Sequence, residues 1–187
     1  ALGSEVGLRF RAWEEDNRRR VLAATGGRVG YVRVPDTSAG GWSEFMRMYY
    51  AQTGKDAVII DGRFNGGGAI ADFLMREMTK MISAKTITRH GEPFLIPSQG
   101  IYGPKVMLTN ELAGSGGDIL PYLFRQHKVG PIIGKRTWGS MLINYGFELA
   151  DGGSISSPDD AMFSPNGKWV IENVGTPVDI DVDLDPA

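Results

Sequence analysis

Two glycine-rich turns constrain the fold of this chain more than any other feature. One spans residues 61–68 and the other spans residues 112–118. Each follows a short, continuous apolar segment, residues 57–60 or 106–109, of the kind that forms a strand buried on both faces. Each also leads into a segment with helical character. Repeated strand, turn and helix units predict an α/β domain.

The remaining pattern fits one such domain with a β-rich C-terminal part. After Gly139, short strand-like segments alternate with turns. Residues 91–97 are expected to be irregular because of their glycine and prolines. The tail, residues 178–184, alternates Val, Ile or Leu with Asp, a pattern typical of an edge strand. The predicted helices are residues 8–22, 42–51, 69–82 and 118–126, and the predicted strands are residues 29–34, 57–60, 86–88, 106–109, 132–133, 142–149, 154–156, 168–171 and 178–184.

Composition excludes several classes of function. The chain has 187 residues and a formal net charge of −2, so it lacks the basic surface that binding to nucleic acid or to an anionic membrane requires. It contains no cysteine and two histidines, which excludes disulfides, cysteine nucleophiles and a histidine-rich metal site. We therefore expect no metal and no cofactor. No apolar segment approaches the length of a membrane span, and the lack of cysteine favours a reducing compartment, so we predict a cytoplasmic location.

The second turn places Ser115 between glycines, a pattern that suits acyl transfer. A serine nucleophile needs an exposed hydroxyl, a base to accept its proton, and N–H donors for the tetrahedral oxyanion. Neighbouring glycines let backbone N–H groups approach a reacting carbonyl, and the start of a helix adds a favourable dipole. From this turn alone a structural explanation is favoured, because Ser115 followed three residues later by Asp118 resembles a helix capping box.

The first turn has three interpretations. It could be a plain loop before a helix, or it could supply an N–H donor to an oxyanion. Gly66, Gly68 and Ala71 also match the G-x-G-x-x-A fingerprint of dinucleotide-binding proteins. The nucleotide interpretation is disfavoured because four residues separate Asp61 from Gly66, whereas the fingerprint follows its strand directly.

No residue of the chain is an obvious general base for Ser115. His90 lies in a segment expected to be a surface loop. His127 follows Ser115 by twelve positions on the predicted helix, a distance of about 18 Å at the helical rise per residue. A catalytic serine in this chain therefore lacks an evident proton acceptor.

Four ordered segments of the sequence together point to a known family. They are DGRFNGGG at residues 61–68, LTNELAGSGGD at 108–118, GKRTWG at 134–139 and IENVGTPVDI at 171–180. In this combination the chain resembles the core of tricorn-type serine peptidases, within the wider C-terminal-processing peptidase family. The resemblance covers nearly the whole chain and implies a ClpP/crotonase-like α/β fold.

The resemblance implies roles for five residues. Ser115 would be the nucleophile, and the N–H of Gly116 would be one oxyanion donor. Gly67 or Gly68 would supply the second donor. Glu172 would be the acidic residue that orients the base. The substrates would be peptides or oligopeptides, hydrolysed through an acyl-enzyme, and the full-length protein would form a homo-oligomer.

The resemblance also limits where the base can be. The C-terminal-processing branch uses a lysine just after a T-x-G motif, but Ser140 stands at that position here. Lys135 and Arg136 precede the motif, and an arginine stays protonated. The tricorn branch takes its base from an upstream histidine, before a PDZ-like module that the helix at residues 8–22 would follow. We therefore expect residues 1–187 to be one peptidase core domain of a longer protein, inactive in isolation.

A second class of function shares this fold. A non-catalytic module that binds a ligand or a peptide would not need Ser115 and both donor N–H groups to converge on one point, whereas a peptidase would.

Three acidic residues could select a basic side chain of the substrate, although each is more typical of a turn. They are Asp151, Asp159 and Asp160.

Overall fold

A five-stranded parallel sheet forms the centre of the molecule. The computed structural model describes residues 4–184. The helices are α1 (Val6–Ala24), α2 (Ala39–Tyr50), α3 (Ala71–Met78) and α4 (Gly116–Gln126). The strands are β1 (Val29–Arg33), β2 (Ala57–Asp61), β3 (Ala84–Thr86), β4 (Phe94–Ile96), β5 (Lys105–Thr109), β6 (Ile132–Gly134), β7 (Asn144–Glu148), β8 (Ser154–Pro158) and β9 (Ile180–Asp181). The order of the strands in the central sheet is β1-β2-β5-β6-β9.

The two apolar segments singled out in the sequence are adjacent central strands. β2 pairs with β5 in parallel, with Ile60 opposite Met107 and Asp61 opposite Leu108. Ile60 and Met107 are fully buried. Because parallel strands all end at the same edge of a sheet, the glycine turns that follow β2 and β5 emerge side by side.

A polar cluster anchors the first turn to the sheet. The buried carboxylate of Asp61, the last residue of β2, accepts a hydrogen bond from the Tyr31 hydroxyl at 2.5 Å. It also binds the guanidinium of Arg63 at 2.5 to 3.1 Å. Burial and the neighbouring Asp61 raise the pKa of Tyr31, so its hydroxyl remains a donor. The cluster fixes the direction in which the chain leaves β2.

The sequence predicted these central elements well and the peripheral ones less well. The predicted helix at 69–82 is shorter, because α3 ends at Met78 where the Thr79 hydroxyl binds the carbonyl of Met75 at 2.7 Å. The prediction of irregular structure at 91–97 is wrong at its centre. There the residues of β4, between the two prolines, keep their own N–H groups and pair with β3.

The β-rich C-terminal part is confirmed as a hairpin, β7 with β8, and the short edge strand β9. The predicted strand at 168–171 is wrong as a strand. Its segment contributes an isolated bridge between Trp169 and Phe163 across the turn at Asn166 and Gly167, and the positive φ of 72° at Ile171 ends the extended conformation.

Candidate active site

The two glycine turns bind each other at the carboxyl edge of the sheet. The N–H of Gly114 donates to the carbonyl of Asn65 at 3.1 Å, and the N–H of Gly62 donates to the carbonyl of Leu108 at 2.8 Å. The N–H of Phe64 donates to the side-chain oxygen of Asn110 at 2.9 Å. The turns therefore form one structural unit.

Ser115 occupies a backbone conformation that few side chains adopt. Its φ of 55° and ψ of −120° lie outside the helical region, although the residue sits at the N-cap of α4. Positive φ at a non-glycine residue costs energy and is concentrated at functional sites. Its N–H donates to the carbonyl of Ser140 at 2.9 Å. Its hydroxyl makes no capping hydrogen bond to the helix, so the explanation of Ser115 as a capping side chain is wrong.

Asp118 does not form the other half of a capping box either. Its fully buried carboxylate accepts the N–H of Gly139 at 2.8 Å and the N–H of Ser140 at 3.2 Å. The carbonyl of Asp118 accepts the Thr176 hydroxyl at 2.9 Å. Asp118 thus holds the 139–140 segment against Ser115 and leaves the Ser115 hydroxyl free of a capping role.

The glycines of both turns converge on Ser115. A Cβ added at Gly67 would lie 2.7 Å from Ser115 Cβ and 3.1 Å from its Oγ. A Cβ added at Gly116 would lie 2.2 Å from the oxygen and 2.8 Å from the nitrogen of Gly68. The backbones approach so closely that neither position accommodates a side chain, which is a physical reason for glycine there.

The N–H groups distinguish the two candidate donors of the first turn. The N–H of Gly67 is bound by the Asn65 side-chain oxygen at 2.9 Å. Within residues 4–184, no acceptor pairs with the N–H of Gly68 or with that of Gly116. The available donors beside Ser115 are therefore Gly68 and Gly116.

Glu172 connects to Ser115 through an intervening segment. Its Oε2 accepts the N–H of Met141 at 2.8 Å and the N–H of Leu142 at 3.0 Å. That segment continues from Ser140, whose carbonyl binds the Ser115 N–H. In the described part of the chain Glu172 makes no direct hydrogen bond to Ser115.

A cavity of about 560 Å³ lies beside Glu172. Its lining includes Asp159, Asp160 and Trp169. The Asp160 side chain accepts the N–H of Ile143 at 2.9 Å. Asp151, the third acidic candidate, is a turn residue that accepts the N–H of Gly153 at 2.9 Å.

No base lies beside Ser115 among residues 4–184. His90 is exposed in the loop between β3 and β4, and His127 is exposed at the end of α4. Lys135 is bound to Asp181, and to Asp183 at 2.9 Å. These hydrogen bonds raise the pKa of Lys135, so it is a poor proton acceptor.

Two residues of the site escaped the sequence interpretation. Asn65 is buried, and besides holding Gly67 it donates its side-chain amide to the carbonyl of Val34 at 3.0 Å. Thr37 is fully buried, and its N–H donates to the carbonyl of Gly67 at 2.8 Å. An asparagine two residues before a glycine is typical of an Asx turn, which is the signal that could have identified Asn65.

Within residues 4–184 no helix is long and apolar enough to cross a membrane. The same residues contain no group of three or more His, Asp or Glu side chains placed to hold a metal ion.

Comparison with known proteins supports the resemblance drawn from the motifs. The chain is 36% identical over 182 residues to the tricorn protease of Thermoplasma volcanium, covering 96% of this chain and 18% of that protein. It is 36% identical over 188 residues to a tricorn protease homolog of Saccharolobus solfataricus, covering 99% of this chain and 17% of that protein. The chain thus spans about a fifth of the length of the curated relatives it matches.

Solved structures of proteases also resemble this chain. The crystal structure of the tricorn protease matches with a TM-score of 0.88 and 31% identity, covering 97% of this chain and 18% of that one. A photosystem II D1 C-terminal processing protease matches in fold, with a TM-score of 0.60 and 22% identity, covering 83% of this chain and 42% of that one. The sequence profile of Peptidase family S41 matches residues 28–182, and the chain therefore belongs to that family.

Proposed function

We propose that this domain is the core of a serine-type peptidase that hydrolyses peptides through an acyl-enzyme at Ser115. The observation that carries the proposal is the pair of N–H groups without acceptors, on Gly68 and Gly116, that flanks Ser115. An oxyanion site needs donors that are not already used. Membership of Peptidase family S41 supports the same chemistry.

The reaction follows from this geometry. Ser115 Oγ attacks the carbonyl carbon of the scissile peptide and loses its proton to a base. The oxyanion that forms is stabilised by the N–H groups of Gly68 and Gly116 and by the N-terminus of α4. Collapse of this intermediate releases the amine, which takes the proton from the base, and leaves an ester on Ser115. Water then hydrolyses the ester by the same steps and restores the serine.

The base in this proposal comes from sequence outside residues 4–184. Both histidines are exposed and make no hydrogen bond to Ser115, and Lys135 is held by two aspartates. Glu172 would orient the base, and its position beside the 141–142 backbone supports this role. Without a base, the isolated chain should be essentially inactive on peptides.

We further propose that the full-length protein is cytoplasmic and forms a homo-oligomer. The absence of cysteine supports the first point, and the resemblance to tricorn-type peptidases supports the second. The two available donors in the turns that contain or contact Ser115 favour a peptidase over a non-catalytic binding module.

The proposal is tested with a longer form of the protein that includes sequence upstream of residue 1. Cleavage of a quenched fluorescent peptide library would be compared between this protein and its Ser115→Ala and Ser140→Ala variants. Loss of a serine nucleophile should lower kcat by about 10³-fold or more, whereas Ser140→Ala keeps its backbone contact with Ser115 and should retain most activity. Full activity in Ser115→Ala would exclude the acyl-enzyme.

A further inference from the structure

A second site is indicated by a cleft between α1 and α2. The cleft has a volume of about 960 Å³. Its lining includes Phe10 and Glu14 from α1, Glu44 and Arg47 from α2, and Arg33 from the end of β1. No part of the proposed reaction at Ser115 uses these side chains.

Arg33 is the unusual residue of this cleft. It is 9% exposed, yet its guanidinium makes no hydrogen bond within residues 4–184, and its Nε is buried without a partner. The nearest carboxylate oxygen belongs to Glu14 and lies 4.0 Å from Nη1, which is too far for a hydrogen bond. The guanidinium instead lies over the ring of Phe10, at 5.0 Å from its centroid. A buried cation in this state is costly unless another group completes its hydrogen bonding.

Two of the neighbouring arginines are already paired with carboxylates. Arg18 binds the carboxylate of Glu15 through two nitrogens, at 2.7 and 2.8 Å, and Arg47 binds Glu44. Glu14 is a weak partner for Arg33 because its nearest oxygen lies 4.0 Å from Nη1. Burial and the nearby Glu44 also raise the pKa of Glu14. Arg11, the fourth arginine of the lining, also has no hydrogen-bonded acid among the residues that the structure describes, but it is exposed to solvent. Arg33 is therefore the buried cation of this cleft whose charge lacks a hydrogen-bonded acid.

We propose that the cleft binds a monocarboxylate with an apolar stem, with the carboxylate on the Arg33 guanidinium. The planar fork of an arginine matches the two oxygens of a carboxylate. Three glutamates and four arginines line the cleft, so its net charge does not exclude phosphate, and the apolar part of the lining is what favours a carboxylate with an apolar stem. Phe10, Pro35, Met48 and Ala51 supply an apolar wall for the stem.

The site is tested by NMR titration of the 20.3 kDa protein, following the arginine Nε–H resonances. N-acetyl-leucine should bind with a Kd of about 1 mM and shift the Arg33 resonance, whereas N-acetyl-leucinamide, its neutral counterpart, should not bind. An N-acetylated tripeptide that ends in leucine is titrated in parallel. Its affinity relative to that of N-acetyl-leucine distinguishes a peptide carboxyl terminus from a small free acid as the source of the carboxylate. Equal binding of the acid and the amide, or tighter binding of inorganic phosphate, would overturn the proposal.

Three variants locate the site. Arg33→Met should weaken binding of N-acetyl-leucine by about 10-fold or more, because a hydrogen bond to a charged group is lost. Glu14→Gln removes the competing negative charge and should tighten binding by about tenfold, a gain that a folding defect cannot produce. Arg28→Gln is the matched control, because Arg28 is exposed outside the cleft and pairs with Asp56. Unchanged affinity in both Arg33→Met and Glu14→Gln would contradict the assignment.

Discussion

Gly116→Ala is the substitution that most directly probes the contact between the two glycine turns. The new methyl carbon would lie 2.2 Å from the oxygen and 2.8 Å from the nitrogen of Gly68, and 1.9 Å from the hydroxyl of Thr37. A Cβ atom essentially never lies within 3.0 Å of a heavy atom outside its own residue and that residue's two chain neighbours. The Thr37 side chain could rotate, but the Gly68 backbone could move only if the turns separated.

The size of that separation sets the expected effect. A shift of about 1 Å at a catalytic site can lower the rate by about 10²-fold, because the donors no longer meet the oxyanion. Overpacking should also lower the free energy of unfolding by about 1–3 kcal/mol. We therefore expect Gly116→Ala to lose about 10²-fold in kcat, with a smaller change in KM because the loss falls on the transition state.

The assay compares peptide hydrolysis and thermal unfolding for the wild type, Gly116→Ala and Gly66→Ala in the longer form of the protein. Gly66 is the matched control, since a Cβ added there would meet nothing within 4 Å and its φ is not positive. Gly66→Ala should keep nearly all activity. If Gly116→Ala remained folded and as active as Gly66→Ala, the argument that the turns must meet at this spacing would be refuted.

Three further changes test other parts of the account. Asn65→Ala leaves the buried N–H of Gly67 without an acceptor, so the free energy of unfolding should fall by about 1–3 kcal/mol in denaturant titrations; an unchanged value would mean that the N–H finds another acceptor. Glu172→Gln keeps an oxygen for the same two backbone N–H groups but removes the charge. We therefore expect kcat to fall while the melting temperature stays within a few degrees. A variant with the kcat of the wild type would show that Glu172 has no part in the mechanism. Burial lowers the pKa of Lys105 in the folded protein. Between that lowered pKa and the ordinary value of about 10.4, the unfolded chain binds more protons than the folded chain. The free energy of unfolding should therefore rise with pH across this window. Lys105→Met should abolish this part of the pH dependence, and an equal slope in both proteins would contradict it.

The sequence sufficed for the parts of the fold that local pattern determines. The apolar segments before each turn become β2 and β5 because continuous apolar residues are stable only when both faces are covered. The position of Ser115 between glycines at the start of a helix was also readable, since the glycines, the strand before them and the helix after them are all local signals.

Features that depend on contacts between residues far apart in the chain could not be predicted from the sequence. Whether Gly67 or Gly68 is an available donor depends on where the Asn65 side chain points. The capping interpretation of Ser115 failed because Asp118 binds Gly139 and Ser140, which follow it by about twenty residues. These hydrogen bonds depend on how the segment at residues 139–142 folds back over α4. The spacing of residues within the turn at 112–118 does not predict the position of that segment.

The most direct test of the central claim is covalent labelling by a fluorophosphonate, located by peptide mass spectrometry. In the longer form of the protein the account predicts one adduct, on Ser115. It should form at least about 10³-fold faster than in the 187-residue chain, where the proposal leaves Ser115 without its base. Labelling of another serine would contradict the assignment of the nucleophile. Equally fast labelling of Ser115 in the 187-residue chain would contradict the missing base and would direct attention to His90.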